Sequence, residues 1–131
     1  MPLKVTIIAV GKLKNAGLSS VIADLEKKLK HYVNLTTIQT KDVRRSKQGG
    51  SPRADEAKLI LGRIPKDAYV VALDERGKLK KTSDMVDWWS VLERRCVGHI
   101  AFIIGGPDGL DSSVISKADE LLALSPLTFT H

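Results

Sequence analysis

"HIAFIIGGPDGLDSS", residues 99–113, divides into two parts of opposite character. From His99 to Ile104 nearly every position is apolar, with no alternation to mark one side as wet. A strand of that composition is covered on both faces, the condition of a strand in a parallel sheet packed between helices. The run then breaks into Gly105, Gly106, Pro107, Asp108 and Gly109, and Asp111 stands ready to cap a short helix over 112–118. The stretch "AYVVALD", residues 68–74, has the same continuous apolar character and ends in acid.

The rest of the chain fits around these two strands. Leu3 to Val10 reads as a short apolar strand closed by Gly11. Leu18, Val21, Ile22, Leu25 and Leu29 recur at helical spacing, with Lys27, Lys28 and Lys30 in the last turn, where cations suit the helix dipole. Residues 33–40 alternate and are rich in β-branched side chains, which predicts a strand near a sheet edge. Ser51 and Pro52 signal a helix start, Ala57, Ile60, Leu61 and Ile64 supply its stripe, and Pro65 stops it. "ERGKLKKTS", residues 75–83, reads as a polar connection to a helix capped by Ser83 or Asp84, with Met85, Trp88, Trp89, Leu92 and Cys96 on one side. Residues 120–125 complete the pattern as a short strand. Strands alternating with helices predict one α/β domain over residues 1–131, with a mainly parallel sheet and helices on both faces.

Composition narrows the chemistry. The net charge of +6 is uneven: residues 1–66 hold 14 Lys and Arg against 5 Asp and Glu, whereas residues 67–131 hold 7 against 10. Lys41, Arg44, Arg45, Lys47 and Arg53 form the densest basic cluster, beside glycines, a pattern suited to a phosphate backbone. His31, His99 and His131 lack metal-ligand spacing, and a lone Cys96, read as a small buried residue, forms neither a disulfide nor a zinc motif. The apolar run before Gly11 is too short to cross a bilayer and weak as a leader, so a soluble protein without a membrane partner is expected.

Ligands of parallel sheets collect beyond the carboxyl ends of the strands, and three segments converge there: Leu73, Gly105 and the run from Leu124. The glycine loop lacks the Gly-Lys-Ser/Thr ending of a nucleotide-triphosphate loop and the spacing of a dinucleotide fingerprint. Two readings stay open: a wall that lets a ligand approach the backbone closely, or a sharp strand-to-helix turn. Asp74 and Glu75 are either site carboxylates or solvated acids.

"VTIIAVGKLK" (5–14), "VVALDERGK" (70–78), "FIIGGPDGL" (102–110) and "LSPLTFTH" (124–131) together resemble the RlmH family, 23S rRNA (pseudouridine-N3) methyltransferases of the SPOUT (α/β-knot) superfamily. The resemblance implies an α/β sheet with a trefoil knot, S-adenosyl-L-methionine as methyl donor, and N3 of a pseudouridine in 23S rRNA, within the ribosome, as target. It further implies a homodimer in the cytoplasm or an organelle. It carries the cofactor site onto Leu73, Gly105, Leu124, Ser125, Pro126, Leu127, Thr128 and Phe129, and assigns no catalytic base. In that family a long helix follows the T-x-x-H end and passes through the knot. This sequence ends at His131, so a C-terminally truncated SPOUT domain with an incomplete knot is expected. The competing expectation is an RNA- or ribosome-binding module that keeps the fold without catalysis.

Overall fold

The computed structural model describes residues 3–41 and 52–127. Five strands, β1 (Lys4–Val10), β2 (Asn34–Thr40), β3 (Tyr69–Leu79), β4 (His99–Ile104) and β5 (Glu120–Ala123), alternate with four helices, α1 (Ala16–Leu29), α2 (Pro52–Leu61), α3 (Thr82–Arg94) and α4 (Ser112–Lys117). The strands form one sheet in the order β2-β1-β4-β3-β5, and every pairing is parallel. β4 lies at the centre, as its unbroken apolar run requires, and alternating β2 lies at the edge. The expected α/β class with a parallel sheet is therefore present. The expected knot turns on the segment after β5, of which residues 128–131 lie outside those described.

The two faces of the sheet carry separate cores. Ile8, Val10, Val70, Ala72 and Ile103 pack with Ala57 and Ile60 of α2 and Val114 of α4. On the other face Val71, Ile100 and Leu122 pack with Leu92 of α3, flanked by Met85, Trp88, Trp89 and Phe102. The tryptophans are thus packing residues; Trp88 stands edge-on to both Trp89 and Phe102 at 6.3 Å. Its indole N–H donates to Glu120 Oε2 at 2.7 Å, and the Tyr69 hydroxyl donates to the same oxygen at 3.1 Å. Burial, and then the Glu120 carboxylate, push the Tyr69 phenol above its ordinary range.

Several local readings are corrected. Asn15 caps α1 by accepting from the Leu18 N–H at 3.1 Å. α2 ends at Leu61, before Pro65, so Ile64 reaches the core from beyond the helix. α3 starts two or three residues early: Lys81 is the N-cap, and Asp84 acts from inside the first turn by accepting from its N–H at 3.2 Å. Cys96 is exposed, because α3 ends at Arg94 and Cys96 takes a left-handed φ of 57° that swings it off the buried stripe. The Ser51 cap and the basic residues Arg44, Arg45 and Lys47 lie outside the described residues.

The largest departure is at the end of β3. The segment read as a polar connection continues as strand to Leu79, and β3 pairs with β5 twice: Leu73 opposite Leu122, then, after an irregularity, Lys78 opposite the same Leu122. Gly77 makes this possible. A Cβ there would stand 2.6 Å from the Leu121 carbonyl carbon and 2.7 Å from both Leu121 O and Leu122 N. Backbone on both sides leaves nothing to swing away. Gly98 offers the matching control, since no atom lies within 4 Å of a Cβ built there. Gly77→Ala is expected to destabilise the fold by about 2 kcal/mol or more, lowering the melting temperature by roughly 5–10 °C, while Gly98→Ala shifts it by about 2 °C or less. Thermal unfolding by circular dichroism checks both.

Candidate functional site

The sheet brings the first two expected site segments side by side. Leu73 of β3 pairs with Ile104 of β4 on one flank and with Leu122 of β5 on the other. Gly105 follows Ile104 directly and Leu124 follows Ala123, so Leu73 stands level with Gly105 and Leu124 at the carboxyl ends of β4 and β5, although β3 itself does not end there as expected but runs on to Leu79. Ser125 to Leu127 then turn tightly, with the Leu127 N–H donating to Ser125 Oγ at 3.1 Å. Leu124 and Leu127 are each 69% exposed, two uncovered apolar side chains beside the strand ends. Thr128 and Phe129 lie outside the described residues.

The glycine loop is a turn, and its shape explains its composition. The Gly109 N–H donates to the Gly106 carbonyl at 3.0 Å, the two residues form an isolated bridge, and Gly109 has a φ of 79° that side chains rarely tolerate. Leu110 folds back beneath Gly105, where a Cβ would meet its Cδ2 at 2.9 Å. Asp111 then caps α4, accepting from the Ser113 N–H at 3.1 Å and the Ser113 hydroxyl at 2.7 Å. These hydrogen bonds hold its carboxyl below the usual range.

Past Leu73 the chain leaves the sheet through Asp74, Glu75 and Arg76. Asp74 Oδ1 accepts from the Arg76 backbone N–H at 2.9 Å and from Nε at 2.8 Å, and Oδ2 accepts from an Arg76 terminal nitrogen at 2.9 Å. The Arg76 guanidinium holds the Asp74 carboxyl below its ordinary range. Asp74 is therefore committed to shaping this excursion. Glu75 is exposed and has an interaction of its own.

One residue near the site went unread in the sequence. Glu56 of α2 is 3% exposed, and its carboxylate lies against Gly106. The signal was its phase: Glu56 precedes Ile60 by one helical turn and so falls on the buried stripe.

A groove of about 1430 Å³ lies elsewhere, at the amino ends of the strands, between Leu29 at the end of α1 and Trp89 of α3, floored by Val5, Ile7 and Phe102. His99 borders it, accepting or donating a 2.7 Å hydrogen bond with Thr6 Oγ1; burial, and then the charge of Lys4, lower its pKa. Among the described residues no group of His, Cys, Asp and Glu could hold a metal, and no helix is long and apolar enough to cross a membrane.

A family described as predicted SPOUT methyltransferase matches residues 3–131. A Methanoregula boonei protein is 40% identical over 138 residues, covering 98% of this chain and 84% of its own length. The proteins of Clostridium kluyveri and Alkaliphilus oremlandii, each named ribosomal RNA large subunit methyltransferase H, are 34% and 36% identical over 134 residues, with the same 98% and 84% coverage.

Replacing Arg76 with Ala is expected to raise the Asp74 carboxyl back toward the ordinary carboxylate range, followed by NMR titration of its side-chain carbon. Because the folded value is depressed, the clamp contributes stability above the ordinary carboxylate pKa and loses it as pH falls through the folded value. The stability difference between the parent chain and Arg76→Ala should therefore shrink below about pH 4.

Proposed function

This chain belongs to the SPOUT methyltransferase family, and from that membership we propose that it transfers a methyl group from S-adenosylmethionine to N3 of a pseudouridine in 23S ribosomal RNA, within the ribosome. The observation that carries the reading is the juxtaposition of Leu73 of β3 with Gly105 and Leu124 at the ends of β4 and β5, in a chain matched by the family over residues 3–131. The relatives' names point to the large-subunit RNA; the nucleotide and the donor follow from the resemblance of the four sequence motifs.

The residues suit an adenosine. Strand ends present backbone N–H and C=O groups that can read the base edge, and Leu73, Leu124 and Leu127 offer apolar cover for its faces. Gly105 and Gly106 present bare backbone at the end of β4. Ser125, Pro126, Thr128 and Phe129 complete the proposed wall. S-adenosylmethionine, when bound, supplies an electrophilic methyl group on a sulfonium. What the protein must then provide is alignment of that methyl with N3, worth far more here than a metal or a strong acid. Transfer would form the N3–CH3 bond as the sulfonium S–CH3 bond breaks with its electron pair returning to sulfur, giving S-adenosylhomocysteine, and the N3 proton would pass to solvent water. Lys41, Arg44, Arg45, Lys47 and Arg53 are proposed to meet the RNA backbone, in a cytoplasmic or organellar ribosome.

We further infer a homodimer formed through α1. Leu18, Val21, Ile22, Leu25 and Leu29 form its apolar stripe, yet all five are exposed and no residue of α1 is buried. The stripe runs at Leu29 into the apolar groove beside it. A second copy is the partner proposed for this exposed stripe, which a two-fold pairing would bury against itself. Light scattering should return twice the chain mass, and Leu25→Glu should return a single chain; a parent chain that scatters as a monomer overturns the interface.

The catalytic proposal is tested with methyl-labelled S-adenosylmethionine on intact ribosomes, with free rRNA alongside. Label is expected in ribosomal 23S rRNA, with little in free RNA. Ribosome binding without methylation, together with no calorimetric heat from S-adenosylhomocysteine, would favour a non-catalytic binding module instead.

A further inference from the structure

α2 carries a charged residue where its phase calls for an apolar one. Glu56 shares the buried face with Ile60 and Ala57, and is nearly as withdrawn from water as they are. A carboxylate in such a place is disfavoured unless other groups hold it, and Glu56 does take part in a polar or charged interaction. Its position has a second aspect. A Cβ built on Gly106 would stand 3.2 Å from Glu56 Oε2 and 3.4 Å from Oε1, with Val10 Cγ1 at 3.3 Å. Both carboxylate oxygens and one methyl group thus occupy the space a side chain at position 106 would need.

The two glycines of the loop rest on different beds. Gly105 lies on Leu110, a residue of its own loop, whereas Gly106 lies on a carboxylate delivered by a separate helix. The Gly106 carbonyl also closes the turn by accepting from Gly109. Whatever seats Gly106 therefore sets where the whole turn stands at the end of β4, and with it the backbone of Gly105.

We propose that Glu56 is a positioning residue for the methyl-donor site: its buried carboxylate is the seat against which Gly106 packs, fixing the place of the turn that walls the donor. The inference rests on the reading of Gly105 as part of that site. It makes donor affinity depend on a residue of α2 that need not touch the donor.

The test is a double-mutant cycle on the full chain, with S-adenosylhomocysteine as the calorimetric probe. Gly106→Ala should weaken binding about tenfold, because the new methyl presses on Glu56 Oε2 and on Val10 Cγ1 by a few tenths of an ångström. Glu56→Asp withdraws the carboxylate by one methylene while keeping its charge, and in that background Gly106→Ala should cost about threefold or less. Glu56→Gln, equal in size, should leave the full tenfold penalty. In ribosome methylation, KM for S-adenosylmethionine should rise in Gly106→Ala with kcat held within about twofold. Equal penalties in the parent and Glu56→Asp backgrounds, or a fall in kcat with KM unchanged, would overturn the proposal. A parent chain that binds no S-adenosylhomocysteine would instead sink the donor-site reading itself. Should Glu56→Asp unfold, the side-chain carboxyl carbon resonance of Glu56 in ligand-free Gly106→Ala decides: a shift from the parent supports the seat, and an unchanged resonance refutes it.

Discussion

Gly77 brings the backbone of β3 against that of β5 at a separation with no room for a β-carbon, and three features of the strand ends follow. β3 can leave the sheet after Leu73 and return to Leu122, the residue it had already paired with. The excursion between those two pairings is short, so Asp74 and Arg76 are forced near each other and the carboxylate closes on the guanidinium. Leu122, held from two directions, fixes the point from which Leu124 and Ser125 depart. A single missing side chain thus determines where the last proposed site segment begins.

The readings that succeeded rested on composition that reports burial directly. The uninterrupted apolar run at Ile100 to Ile104 could only belong to a strand with helices on both sides, and alternation at residues 34–40 could only belong near an edge. Asp111 was legible as a cap because a short acid before a helix has few other uses. Failures occurred where one residue's meaning depends on a distant partner. Gly77 sits among lysines, and only the approach of β5 shows why a glycine stands there. Cys96 kept the helical phase of Leu92, but the helix ended before reaching it. Glu56 was invisible as a charged residue among charged residues, and only its register with Ile60 placed it inside.

The glycine loop shows why its two sequence readings could not be separated by residue types alone. A sharp turn and a ligand wall require the same thing, backbone with nothing projecting from it. Gly109 answers the first need through its positive φ, and Gly105 and Gly106 answer the second through what already fills the space beneath them. The loop is a turn by geometry, which is what makes it available as a wall. Two nearby carboxylates are spent internally, Asp111 on α4 and Asp74 on Arg76, while Asp108 of the loop is exposed.

The strand order carries a consequence for the chain as it is made. β1 pairs with β2, which follows it closely, but its other edge waits for β4, whose His99 comes opposite Lys4. No strand synthesised before β4 can stand in, because β3 belongs on β4's far side. Throughout synthesis of the first three-quarters of the chain, an apolar strand therefore has one edge unsatisfied and both faces without their full cover. Contacts between such distant segments form slowly, and half-built parallel sheets are the species that chaperones meet. The central position of β4 thus makes the order of synthesis the reverse of the order of cover.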